Sequence, residues 1–414
     1  MLRLSPLNKV SFFSKSSALR MIVVSVVLAS AASGQFTEKV LIKSLISGNG
    51  GLIFDQHGDL YGTDQKLTRF GAVYRLHHFP NGTWGKTILH HFSGTDGASP
   101  EPNLVFDNAG NLYGSTTIGG IYNDGTVYQL SPTASGTWTE KVLYNFQFGT
   151  HGWDPSPVII DGAGNLYGTT FFGPNGTIFE LVHNSHGTWT HKVLYQFTGG
   201  TDGRNPQGAL VRDSAGNLYG TTFDGTERAT VFELSPETNG SWTFHLVHTF
   251  CSRAKCTDGN PGFGSASVTL DNHGNLYGMT SQGGNPNCSP ALVSGCGTVF
   301  KITHTKIGAW TFQVLHSFCL LDGCVDGQFP GGGVILDGVG NVYGVTLAGG
   351  ANRFGTVFKV SHAPGHPWTE EVLYSFCSVS NCADGKGPLG SLVIDNAGNL
   401  FGTTLSAVFE LQRE

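Results

Sequence analysis

Charge is scarce in this chain: 13% of its 414 residues are Asp, Glu, Lys or Arg, about half the share usual in soluble domains. There is no H-E-x-x-H, no G-x-S-x-G and no EF-hand loop, so the strong signatures of zinc peptidases, serine hydrolases and calcium loops are missing. After the N-terminus no apolar run approaches the roughly 20 residues that a membrane-spanning helix needs. These absences exclude a polytopic membrane protein and the best-marked enzyme classes, and no metal or cofactor is expected.

Glycine, by contrast, is abundant at 60 residues, about twice the usual frequency, which points to a chain full of turns. The N-terminus carries Arg3, Lys9, Lys15 and Arg20 with no acidic residue, then the apolar run Met21 to Leu28 and a small-residue tail ending at Gly34. That order is a secretory signal peptide over residues 1–34, cleaved after Ala31 or Gly34, with an uncleaved anchor as the alternative. Its removal leaves 19 basic residues against 29 acidic ones, a balance unsuited to nucleic acid. A secreted or periplasmic monomer without a membrane span is expected.

The eight cysteines fit an oxidising compartment and fall into local couples. Cys251 with Cys256, Cys319 with Cys324 and Cys377 with Cys382 read C-x4-C, and Cys288 with Cys296 spans a loop containing Pro and Gly. Disulfides are expected. Zinc, the competing reading, lacks a C-x2-C pair or an H-x3-H partner.

The dominant feature is a repeat. Asp161-Gly162-Ala163-Gly164-Asn165-Leu166-Tyr167-Gly168-Thr169-Thr170 has near-copies beginning at Asp55, Asp107, Asp213, Asp271, Asp337 and Asp395, spaced 52 to 66 residues apart. Within a unit, a short apolar run, Asp with turn residues, and Asn-Leu-Tyr-Gly read as a β-hairpin. A third strand follows as Gly-Thr-Val-Phe or a variant, and a fourth carries Trp-x7-Phe, whose large rings are read as packing between units. Four strands per unit and seven units predict an all-β, seven-bladed β-propeller over residues 35–414. The segment from Phe36 copies a fourth strand and Ala407 to Leu411 copies a third, so the N-terminal strand should complete the last blade. An open stack of β-repeats is the alternative architecture.

The D-x-x-G-N-L-Y-G-T-T string, followed by Gly-Gly and Gly-Thr-Val-Phe, resembles the Gloeo/Verruco tandem repeat of exported bacterial proteins. Asp107 to Thr116, Asp161 to Thr170 and Asp395 to Thr404 fit closely, whereas Asp55 to Asp64 and Asp337 to Thr346 drift. The resemblance implies export and repeat type and carries no activity. Some members end in an anchoring segment, whereas this sequence stops at Arg413-Glu414 just after a strand. The same core is similar to hairpins of propeller lyases, lactonases and sensor ectodomains, and fold alone does not transfer function.

Several local strings are discounted. Gly162 to Gly168 imitates a dinucleotide loop but sits between strands. The pairs His77-His78 and His90-His91 read as surface residues, and the three Asn-Gly-Thr/Ser acceptor strings as turns. Asp-Gly at Asp96, Asp202, Asp258, Asp326 and Asp384, with His151-Gly152 in the third unit, could form a carboxylate ring, but the dipeptide is itself a turn signal.

Propeller geometry places every cysteine couple on one face, where the outer strand leads into the next inner strand and the second into the third. That face has the most variable loops and is the candidate binding surface. Residues peculiar to single blades, Glu101, Trp153, Asp154, Arg204, Glu227, Arg228 and Arg353, are the candidate ligand contacts, with Trp153 beside Asp154 suited to a sugar. The expected function is a non-enzymatic binder of carbohydrate or of an extracellular protein. A polysaccharide lyase or hydrolase, with acid and base at the central opening, and a structural cell-surface module are the alternatives.

Overall fold

The protein is described from a computed structural model, over residues 36–43, 50–65, 67–149, 151–223, 229–262, 267–288, 295–305 and 308–414. The expected leader and the candidate contacts Glu227 and Arg228 lie outside the described residues.

Seven antiparallel sheets follow one another along the chain. In the first, Leu52–Phe54 is innermost, followed outward by Leu60–Asp64, Ala72–His78 and Trp84–His91. The last is built as expected from both ends of the chain: Phe36–Lys43 pairs with Ala407–Arg413, from Phe36 opposite Arg413 to Lys43 opposite Ala407. This supplies the outer strand of the last blade and closes the ring, which leaves only short sheet edges. No helix among the described residues is long and apolar enough to cross a membrane.

The repeated motif is accounted for atom by atom. Asp161 Oδ1 accepts the N–H groups of Ala163 (2.9 Å) and Asn165 (2.8 Å), and its Oδ2 accepts Asn165 Nδ2 (3.1 Å) and the Tyr167 hydroxyl (3.1 Å). Gly164, at φ +86°, adopts the left-handed turn conformation that glycine tolerates best. At Asp107 burial raises the carboxyl pKa, but the matching bonds from Asn111, Tyr113 and Ala109 outweigh it and hold the group below its usual range. The motif's polar atoms are consumed by its own turn.

The blades are joined by rings. Each Phe that ends a Trp-x7-Phe stretch meets an aromatic ring in the third strand of the next blade edge-on: Phe92 with Tyr128, Phe146 with Phe179, Phe197 with Phe232, Phe250 with Phe300, Phe318 with Phe358 and Phe376 with Phe409, with centroids 5.0–5.4 Å apart. Such pairs contribute about 0.5–1.5 kcal/mol each beyond their buried area. The tryptophans lean on the motif aromatic of the preceding blade, as Trp138 does on Tyr61, Trp189 on Tyr113 and Trp84 on Phe401. Inside the sheets, paired threonine hydroxyls such as Thr116 with Thr126 (2.9 Å) and Thr170 with Thr177 (2.8 Å) satisfy each other in fully buried surroundings.

A second lock lies nearer the axis. Gly71, Gly125, Gly176, Gly297 and Gly355 precede third strands with φ between +88° and +99°, and a Cβ on any of them would lie 2.3–2.6 Å from Cδ of Pro100, Pro155, Pro206, Pro330 or Pro388 in the next blade. Only glycine lets the neighbouring proline sit there. Gly125→Ala should therefore cost about 2–4 kcal/mol of stability. Gly136→Ala, at φ +81° in open space, should cost only about 1 kcal/mol. Urea unfolding of the two variants measures the difference, and equal losses would remove the lock from this account.

Candidate functional site

The proline lock also builds the mouth of the central channel. In five blades the inner strand begins Gly-x-x-Pro, as Gly97 to Pro100, Gly152 to Pro155, Gly203 to Pro206, Gly327 to Pro330 and Gly385 to Pro388. The residue before each proline, Ser99, Asp154, Asn205, Phe329 or Gly387, has φ between +51° and +59°. Its N–H donates to the preceding blade's loop, as Asp154 does to the Asp124 carbonyl at 3.1 Å and Asn205 to the Asn175 carbonyl at 2.7 Å. A non-glycine residue in this conformation is strained, and here the lock holds it. The residue after each proline, Glu101, Ser156, Gln207, Gly331 or Leu389, lines the channel.

Together these positions enclose a cavity of about 610 Å³ to which all seven blades contribute. Its wall combines starts of inner strands with ends of second strands, Thr117, Phe171, Phe172, Ser281 and Leu347 among them. It therefore opens on the face that carries the disulfides. Aromatic surface comes from Phe171, Phe172 and Phe329, and hydrogen-bonding groups from Gln65, Asn103, Ser156, Gln207, Ser267 and Ser391.

Among the described residues, two charged ones line it, Glu101 and Asp154. Among the described residues neither carboxyl has a hydrogen bond or an ion pair. Burial, and after it the charge of Asp154, pushes Glu101 up to about 8. Burial alone pushes Asp154 up to about 6. Of the two, Glu101 keeps its proton to the higher pH.

The other candidates separate. Trp153 lies beside the cavity, sandwiched between Phe148 (4.6 Å between centroids) and Phe172 (5.5 Å). The outermost ring of this stack is Phe148, 71% exposed. Arg204 is half-buried at the entrance to its inner strand, and Arg353 is exposed on a loop of the sixth blade; neither lines the cavity. Phe171, Phe172, Gln207 and Phe329 carry no individual mark in the sequence. The Gly-x-x-Pro-y spacing does point to the lining position y, and it is the signal by which Ser156 and Gln207 can be found.

The Asp-Gly carboxylates resolve as turns. Asp258 is fully buried and Asp202, Asp326 and Asp384 nearly so. Asp258 accepts the Ser252 N–H and hydroxyl at 3.0 and 2.6 Å, and Asp384 accepts the Ser378 N–H at 2.8 Å. Burial raises the Asp258 pKa, but the nearby His248 ring, 3.6 Å away, and hydrogen bonds from Ser252 and Arg253 outweigh it and bring the group to about 2.

Of the histidine pairs, His78 and His91 are exposed and His77 lies at the surface 2.8 Å from Asp59, whereas His90 departs from the surface reading: it is half-buried between blades, 3.0 Å from Asp96. The outer strand of each blade faces the next blade's loop, so its inward ring needs a polar partner. Glu140, pushed up to about 7 by burial and by Asp96, approaches the same spot. His90, Asp96 and Glu140 could offer a metal three ligand atoms within 4.8 Å of one another.

The four cysteine couples are disulfides: Cys251–Cys256, Cys288–Cys296, Cys319–Cys324 and Cys377–Cys382. In the three C-x4-C loops both cysteines have positive φ. The Cys256 and Cys324 carbonyls accept N–H groups of Gly284 and Gly350 (3.0 and 2.9 Å), tying the two loop classes of this face together.

The raised Glu101 pKa has a defined stability signature. The folded state binds its proton more tightly than the unfolded chain, whose carboxyl titrates near 4.5, so stability falls as pH climbs from about 4.5 through 8 and levels off above. Glu101→Gln should raise the melting temperature more at pH 9 than at pH 5. A gain independent of pH would show that the carboxyl is not desolvated.

Solved structures with this fold are distantly similar. The chain matches an extracellular domain assigned to a hybrid two-component system of B. thetaiotaomicron at 13% identity and a TM-score of 0.54, covering 92% of this chain and 41% of that one. A second extracellular domain, assigned to a one-component system of the same organism, matches at 11% and 0.55, covering 92% and 40%. A protein from Lactobacillus plantarum matches at 16% and 0.52, covering 78% and 84%. These likenesses show the fold alone, and this chain spans about two fifths of the length of the two B. thetaiotaomicron domains. The search of curated proteins found no match. The profile of the Gloeobacter/Verrucomicrobia repeat matches residues 47–291 and 255–410, and the chain belongs to that family.

Proposed function

We propose that the protein is an exported, non-enzymatic propeller that binds carbohydrate in the mouth of its central cavity. Export is supported by the leader-like N-terminus, by four disulfides and by the extracellular origin of two similar structures. The observation that carries the ligand class is the composition of the wall. Flat rings from Phe171, Phe172 and Phe329 adjoin serine hydroxyls and the amides of Asn103 and Gln207. A sugar ring offers apolar C–H faces to the first and hydroxyl groups to the second. The same face exposes Ile121, Tyr122, Phe148, Leu320, Leu321 and Phe354, more apolar surface than an unengaged face needs. Trp153 supports Phe172 from behind, while Glu101 and Asp154 supply strong acceptors.

A second reading is favoured by one observation. Glu101 near 8 and Asp154 near 6 form a split pair, the arrangement that lets one carboxyl act as acid and the other as base on a glycosidic bond.

A glycan array followed by titration calorimetry tests both. Phe172→Ala and Gln207→Ala should weaken saturable binding about tenfold or more, the loss expected when about 1.4 kcal/mol of contact is removed. Arg353→Ala should leave it unchanged. Binding indifferent to Phe172 and Gln207 would remove the site. New reducing ends or unsaturated products that vanish in Glu101→Gln would replace the binding reading with the catalytic one.

A further inference from the structure

The wall of the cavity is chemically one-sided. Glu101 and Asp154 line it, and among the described residues no Lys, Arg or His does. A desolvated carboxyl pair without a counter-charge is unfavourable, because each ionised group loses its water and gains a like-charged neighbour. The hairpin aspartates, and loop aspartates such as Asp258, are treated differently: Asp161 and Asp258 each receive several donors. The cavity pair receives none from the described residues.

A neutral oligosaccharide would hydrogen-bond the pair without relieving its charge. An anionic one, carrying uronate or sulfate, would add repulsion in a site of low dielectric. An ammonium group would complete the pair and could rest against the faces of the surrounding phenylalanines.

We propose that the ligand is an amino sugar bearing a free amine, its ammonium held between Glu101 and Asp154 and its ring stacked on Phe172. This rests on the reading of the cavity as a carbohydrate site and names the class of sugar.

Binding at neutral pH is then coupled to a proton. To the extent that Glu101 holds a proton before the ligand arrives, the entering ammonium favours its carboxylate, so up to one proton per ligand passes to solvent, less the fraction that the free amine takes up to become ammonium. The other titratable group facing Glu101 is Tyr128, whose hydroxyl is fully buried behind the inner strand and stays neutral because burial, with Glu140 and Glu101 adding, raises its pKa. Asp154, raised by burial to about 6, gives up its proton at lower pH than Glu101. Affinity for the amine should therefore rise between pH 6 and pH 8, until the amine itself loses its proton.

The test is titration calorimetry of the mature protein with a glucosamine tetrasaccharide, its fully N-acetylated counterpart and a neutral glucose tetrasaccharide. Each runs in two buffers of different ionisation enthalpy at pH 7. The free amine should bind at least tenfold tighter than the acetylated form and release a measurable fraction of a proton. Both the preference and the proton release should disappear in Glu101→Gln/Asp154→Asn, whose folding is checked by its melting curve. Equal affinity for the amine and the acetamide, or a preference that survives the double substitution, overturns the amine assignment and leaves the carbohydrate reading standing. Failure of all three sugars, together with an empty glycan array, overturns both.

Discussion

The edge-to-face contact between the phenylalanine at the end of each outer strand and the ring in the next blade's third strand is the constraint on which this structure depends. It joins sheets whose strands do not pair with one another, and it recurs at six of the seven blade junctions. Because the rings are fixed to strands on both sides, the contact sets the angle between blades as well as their separation. The remaining junction brings the chain ends together, and there Trp84 and Phe54 lean on Phe401. Closure through Phe36–Lys43 thus joins aromatic packing to strand pairing in a single blade.

From that angle the geometry of the axis follows. With the blades held close, the third-strand glycine of one packs directly on the proline of the next, so that a Cβ added at Gly176 would lie 2.3 Å from Pro206 Cδ. The proline's predecessor, bonded through its N–H to the neighbouring loop, is held at positive φ, and its successor is placed on the channel wall. Scaffold and site are therefore one device: the residues that lock the blades also decide which side chains face the cavity. Asp154 and Glu101 occupy the two positions flanking that proline in adjacent blades, which is why two acidic residues far apart in sequence share one space.

The parts of this architecture that were legible in the sequence are the local ones. Asp161 through Tyr167 forms its hydrogen-bond network within seven residues, so the spacing of Asp, Gly and Asn already contains the turn. The tyrosine hydroxyl was harder to foresee, because its bond to Asp161 becomes visible only when the hairpin closes. Strand count and the complementary ends gave the closed ring, and couples five or eight residues apart gave the disulfides. The candidate site was legible in part. Glu101 and Asp154 stood out as charges in loops of a chain with few charges. Phe171, Phe172, Gln207 and Phe329 did not, since a lining position is defined by the meeting of seven segments about fifty residues apart, and each looks ordinary within its own repeat. Trp153 misled in a different way. A tryptophan beside an aspartate suits a sugar, but strand pairing opposite Phe172 places its ring inside a stack, with Phe148 outermost.

The contrast between two kinds of carboxylate argues most directly for a site. A propeller of this composition can neutralise buried acids cheaply, with turn amides, hydroxyls and tyrosines, and it does so at every hairpin and in the loops around Asp202, Asp258 and Asp384. At the outer seams, where Glu38, Glu140 and Glu370 are raised to between about 7 and 8 by burial and neighbouring carboxylates, the acids stand between packed blades, where holding a proton keeps the seam neutral. Glu101 and Asp154 fit neither pattern. They sit on an open wall where Ser, Gln, Gly or Leu stands after the proline and Ser, Asn, Phe or Gly before it in the other blades, so the lock does not require them. Placing charge there lowers the stability of the empty protein, and such a cost persists where an occupant offsets it.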